Sequence, residues 1–143
     1  MLRKLMFLSV FLWVVVNSFA NNIQTTIQIN NIVINGGPLY VAVYSNENEY
    51  KNSQAFVSFI LKPTGNILTY SLELPEGEYV VSIFQDTNND GKLNNSIFWI
   101  PIEPVGITNY NHRGSPGNFN RLKVPVNQNS QLITVNMGRV RPL

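Results

Sequence analysis

The sequence predicts an all-β fold, a single two-sheet antiparallel sandwich of about seven strands. Three observations carry this. Apolar residues after Asn21 recur with a period of two, and no stretch sustains a period of 3.6. The runs are rich in Val, Ile, Thr, Tyr and Phe, which suit a pleated, half-buried surface. Gly, Pro and Asn cluster between the runs, where a chain must turn.

Taken in order, Thr25 to Asn30 alternates, with Thr25, Ile27 and Ile29 on one face. Asn30 and Asn31 break the parity, and Ile32 and Ile34 resume it out of phase, the mark of a bulge or a strand end. Asn35, Gly36, Gly37 and Pro38 form a turn into Leu39 to Tyr44, which is apolar on both faces like a central strand. The polar segment Ser45 to Ala55 holds a helical turn or a plain loop, and Phe56 to Leu61 is the next strand. After the Lys62 to Asn66 turn, Leu68, Tyr70, Leu72 and Leu74 point one way while Thr69, Ser71 and Glu73 point the other. Pro75, Glu76 and Gly77 lead into Tyr79 to Phe84, with Tyr79, Val81 and Ile83 inward. A loop of about thirty residues follows, then strands near Phe119 to Val126 and Gln131 to Met137. Loops longer than about 15 residues in compact domains are functional or disordered. The Trp, Pro, Phe and Ile content of this one predicts that it packs.

Residues 1–20 read as a secretory signal. Arg3 and Lys4 form a positive head, Leu5 to Val16 an apolar run, and Ser18 and Ala20 the small-residue cleavage site. The run is shorter than the roughly 20 residues a spanning helix needs, so cleavage before Asn21 is expected, with residues 21–143 as one exported domain, periplasmic or secreted. With no cysteine after the cleavage site, a lipoprotein anchor is not expected, nor is a later transmembrane segment.

The chain has 10 Lys plus Arg and 8 Asp plus Glu; Arg3 and Lys4 leave with the leader, so the mature domain is 8 against 8 and neutral. That balance argues against nucleic acid as a partner. The absence of cysteine excludes thiol catalysis, cysteine zinc sites and iron–sulfur clusters, and leaves the core to hold the domain unless a metal helps.

One segment carries metal chemistry. Asp86, Asn88, Asp90 and Asn94 stand at positions one, three, five and nine of a calcium-type loop, with Gly91 at six and the Lys92 carbonyl at seven. Leu93 at eight would pin the loop to the core. Position twelve is Ile97 where an EF-hand has a bidentate Glu, so Glu103 would have to fold back to complete the shell. The other reading is a metal-free Asn-Asp-Gly turn with solvated acids. Downstream, Pro101 and Pro104 hold Glu103 in an extended segment. That segment either covers the open end of the sandwich, with Trp99 as a plug, or presents an aromatic partner surface built on Trp99, Tyr110, His112 and Phe119. His112 is the only histidine, and beside Arg113, Gly114 and Ser115 it reads as an exposed loop residue rather than a base.

Four segments in order resemble the bacterial family called domain of unknown function 2141: Gly37 to Tyr44, Leu74 to Tyr79, Phe84 to Leu93 and Ile100 to Asn109, with Ser115-Pro116 ahead of Phe119. The Leu74 to Tyr79 turn also resembles transthyretin-like and prealbumin-like sandwich modules. The resemblance implies an exported immunoglobulin-like or transthyretin-like sandwich with no assigned activity. It departs from the family pattern at Asn94, where an acid is common, and at Trp99, where a glycine is.

These readings favour an exported, non-enzymatic module, binding a protein or glycan of the cell envelope or serving a structural role, with calcium ordering its long loop. The alternatives are an exported hydrolase acting through Asp86, Glu103 and His112, and a carrier with an apolar cavity between the sheets.

Overall fold

The computed structural model describes residues 21–143; the expected leader lies outside the described residues. Two sheets stack face to face, as the alternation requires. The first orders β4 (Leu68–Pro75), β1 (Asn22–Asn30) and β8 (Leu132–Asn136). The second orders β3 (Val57–Leu61), β2 (Leu39–Tyr44), β5 (Gly77–Gln85) and β6 (Val105–Ile107), and β7 (Val124–Val126) pairs with the start of β5. Pairing is antiparallel except between β1 and β8, which run parallel.

Period two builds the core. Ile23, Ile27 and Ile29 of β1 meet Val41 and Val43 of β2, Val81 and Ile83 of β5, and Ile133 and Val135 of β8 in one buried cluster. Each such side chain contributes about 1.5–3 kcal/mol by leaving water. The space between the sheets is filled by these residues, which runs against the carrier reading and its need for a cavity there.

Several local expectations are resolved. The Asn30–Asn31 break ends β1, because Asn31 adopts a left-handed φ of 58°, which asparagine tolerates better than most residues. Ile32 is buried but Ile34 is exposed, so no second strand forms there. The polar segment contains α1 (Glu47–Lys51), started by Asn46, whose side chain accepts from Glu49 N. The strand expected over Phe119 to Val126 is split: Phe119–Leu122 winds into the helical turn α2, capped by Asn118, and only Val124–Val126 pairs. Phe119 and Leu122, three apart, both face a second small core with Val80 and Tyr110, a helical spacing inside a run too short to show its period.

The long loop after β5 is anchored midway by β6, whose Val105, Gly106 and Ile107 pair with Phe84, Ile83 and Ser82. Val105 also exchanges both backbone hydrogen bonds with Gly138, at 2.8 Å each, tying the chain beyond β8 to the second sheet.

Gln85, the last residue of β5, is fully buried and answers for a missing strand. Its Oε1 accepts from Val33 N at 3.0 Å, and its Nε2 donates to Val33 O at 2.9 Å and Gly37 O at 3.2 Å. A side-chain amide thereby takes the place of a neighbouring strand for these backbone groups, sharing the Val33 carbonyl with Gly36 N. The turn before β2 is held against the start of the Asp86 loop, where Asp86 N donates to Pro38 O at 2.9 Å.

Candidate functional site

Asp86 follows β5 directly and is 1% exposed. Its Oδ1 accepts from Asp90 N at 3.2 Å and its Oδ2 from Gly91 N at 2.8 Å, so the carboxylate folds the chain around itself. Asn89 and Gly91 supply the left-handed residues that the tight loop needs, with φ of 58° and 74°. Asn88 Oδ1 also accepts from Asp90 N, and Asp90 Oδ1 accepts from Lys92 N at 2.9 Å. On the solvent side three side chains converge: Asp90 Oδ2 accepts from Asn94 Nδ2 at 2.9 Å and Asn88 Nδ2 at 3.2 Å, and Asn88 Nδ2 also donates to Asn94 Oδ1. The Asn94 amide, then the Lys92 backbone N–H, hold the Asp90 carboxyl below its ordinary value of 3.8.

Glu103 does fold back on this loop, as a brace. It is 3% exposed; Oε1 accepts from Thr87 N at 2.8 Å and Thr87 Oγ1 at 3.2 Å, and Oε2 from Asn94 N at 3.1 Å. Both ends of the loop thus hang on one carboxylate delivered by the segment entering β6. Among the described residues no three acidic or histidine side chains gather at metal distance. The oxygen groups that the loop spacing offers a hard cation are Asp86, Asn88, Asp90, Asn94 and the Lys92 carbonyl, and both carboxylate oxygens of Asp86 already accept backbone N–H groups.

The four residues expected to share an aromatic partner surface do not form one exposed face. Trp99 is 85% exposed, at the tip of the segment beside Phe98, which is 76% exposed, and Ile97. It is therefore not a plug. Tyr110 and Phe119 are buried, at 8% and 6% exposure, because β6 and α2 turn them into the second core. Tyr110 OH donates to Gly114 O at 2.5 Å. His112 packs its ring 5.3 Å from that of Tyr110, and its Nε2 donates to Val105 O at 2.9 Å, a carbonyl that can only accept. The hydrolase set is not assembled either. Asp86 and Glu103 share the loop as hydrogen-bond acceptors, while His112 is engaged with Val105 and hydrogen-bonds to neither.

Trp99 and Phe98 instead rim a cavity of about 490 Å³ on the outer face of the second sheet. Phe84 and Ser82 of β5 form its floor, Leu93 and Ile100 one wall, and Tyr110 and Val140 the other. Leu93, expected to pin the loop to the core, stands 38% exposed at the junction with a shallower depression over Tyr40 and Ile60. Tyr40 and Phe84 stack with centroids 4.8 Å apart on this outer face. The signal for this surface was present in the sequence: β2 and β5 are apolar at both parities, and an outward apolar set needs either cover or a partner.

The family model described as an uncharacterized protein conserved in bacteria, DUF2141, matches residues 27–134. The chain belongs to this family. The match spans the structure from the middle of β1 into β8, including the Asp86 loop, Glu103 and Trp99. No curated protein and no solved structure matches it. No helix among the described residues is long and apolar enough to cross a membrane.

Proposed function

We propose that the protein is an exported, non-enzymatic β-sandwich module that binds a protein or glycan of the bacterial cell envelope at the Phe98–Trp99 rim, with calcium stabilising the Asp86–Asn94 loop. The observation that carries this reading is the exposure of Phe98 and Trp99 beside an apolar cavity of about 490 Å³. Large aromatics held out in water at the mouth of a concave apolar surface gain by being covered, and such residues dominate binding energy at interfaces. The leader at residues 1–20 supports export, and the oxygen donors at loop positions one, three, five and nine support calcium. Binding is favoured over hydrolysis because Asp86, Glu103 and His112 share no hydrogen bond and no common cavity.

Replacing Phe98 and Trp99 together by Ser is expected to leave unfolding free energy within about 0.5 kcal/mol, as for exposed positions generally. The same variant should lose at least about tenfold in retention on envelope fractions, separated into glycan and protein, relative to the unmodified protein. Equal retention would dismiss this rim as the binding surface. For the metal, calorimetric titration with calcium is expected to give saturable heat and a raised melting temperature that chelator reverses. Asp90→Ala, which removes an exposed side chain, should abolish the heat without unfolding the domain. No heat at millimolar calcium would make the loop a turn that needs no ion.

A further inference from the structure

Beyond that rim, the structure places a second kind of chemistry where the chain returns past β8. The described domain has four arginines, Arg113, Arg121, Arg139 and Arg141, and three of them line one recess of about 370 Å³ together with Asn111 and His112. No carboxylate lines it, and the sole ion pair among the described residues, Lys123 with Glu78, lies elsewhere. In a domain whose acidic and basic residues balance, that concentration of one sign is unusual.

Backbone pairing enforces the crowding. Arg113 and Arg141 are partners in a parallel bridge, in which Arg141 N donates to His112 O at 2.8 Å and Gly114 N donates to Arg141 O at 3.0 Å. Bridge partners project from the same face, and like charges directly opposite are destabilising. Arg139 lines the same recess, and its Nη1 donates to Ile102 O. His112 closes the recess in a fixed orientation, since its Nε2 is spent on Val105 O. Guanidinium groups are always charged and present forked donors that match tetrahedral oxyanions two bonds at a time. Three of them without an acid exceed what a single carboxylate would balance and match a doubly charged phosphate.

We propose that Arg113, Arg139 and Arg141, with His112 as a wall, form a binding site for a phosphate group. Arg141 also borders the apolar cavity beneath Trp99, so a phosphate carried by an apolar body could occupy both surfaces. A free phosphate ester and a lipid headgroup present the same chemistry, and the experiment separates them. The full chain, purified as the cell processes it, is melted in 20 mM phosphate and in chloride of equal ionic strength. Phosphate is expected to raise the melting temperature by about 3 °C. The Arg113→Gln, Arg141→Gln double variant should lose that rise. In low-salt chloride it should melt no lower than the original, because it relieves a like-charge pair. A merely structural pair of arginines would do the opposite and lower the melting point. Vesicles of phosphatidylglycerol, against phosphatidylcholine alone, then assign the source. Arginine-dependent sedimentation with the anionic vesicles indicates a headgroup, and phosphate stabilisation without sedimentation indicates a soluble ester. Absence of any phosphate effect on the original chain, or an equal effect on the double variant, overturns the site.

Discussion

Replacing Glu103 with Ala is expected to lower the unfolding free energy by about 3 kcal/mol and the melting temperature by roughly 10 °C. The side chain is buried and takes three hydrogen bonds, from Thr87 N, Thr87 Oγ1 and Asn94 N. Bonds to a charged acceptor contribute about 1.5–3 kcal/mol each, but water can reach Thr87 and recover part of the loss. Glu103→Gln should not restore the original stability. It keeps one acceptor oxygen and sets an NH2 group against one of two backbone donors that the carboxylate served separately. Urea unfolding of the three proteins checks the order, with Glu highest. Parity between Glu103→Gln and the original would mean that the charge and the second oxygen do not brace the loop. Under the proposed calcium reading the same variants should also reduce the heat of calcium titration, since the brace holds the loop at Thr87 and Asn94.

The second large effect is expected at Gly37. Its φ is +90°, and a Cβ built there would lie 1.9 Å from the backbone carbonyl oxygen of Asp86. No side-chain rotation relieves a clash with backbone, so the turn must move. Gly37→Ala should cost about 4 kcal/mol, combining left-handed strain of about 1–2 kcal/mol with overpacking of about 1–3 kcal/mol. The displacement breaks the Asp86 N to Pro38 O bond and pulls on Gln85 Nε2 through the Gly37 carbonyl. Gly65→Ala serves as the control, since its Cβ would meet nothing closer than 4.0 Å. Thermal unfolding should therefore separate two Gly→Ala changes that look alike in sequence. If both melt alike, the close approach of the turn to Asp86 is absent in solution.

Alternation made β1, β2, β4 and β5 legible, because a strand that buries one face writes its period directly into the chain. The calcium-type spacing from Asp86 to Asn94 was legible for the same reason: its partners lie within nine positions of each other. Three features were not. Gln85 reads as one more polar residue at a strand end, and its work is to satisfy Val33, far away in the chain. Phe119 reads as the start of a strand, and one helical turn is too short to announce its period. Tyr110 and Trp99 look alike as loop aromatics, yet one is buried by α2 and the other stands in water.

By itself, then, the sequence determined the layers of the sandwich, the inward set of each long strand and the order of oxygen-bearing side chains in the loop. All of these depend on residues that are neighbours along the chain. Only the tertiary structure decided that Glu103 braces that loop from below, that Phe98 and Trp99 rim a cavity, and that Arg113 and Arg141 face each other. Each of these rests on where the segments around β6 and beyond β8 dock. Docking is set by the summed burial of distant faces, which local spacing does not encode.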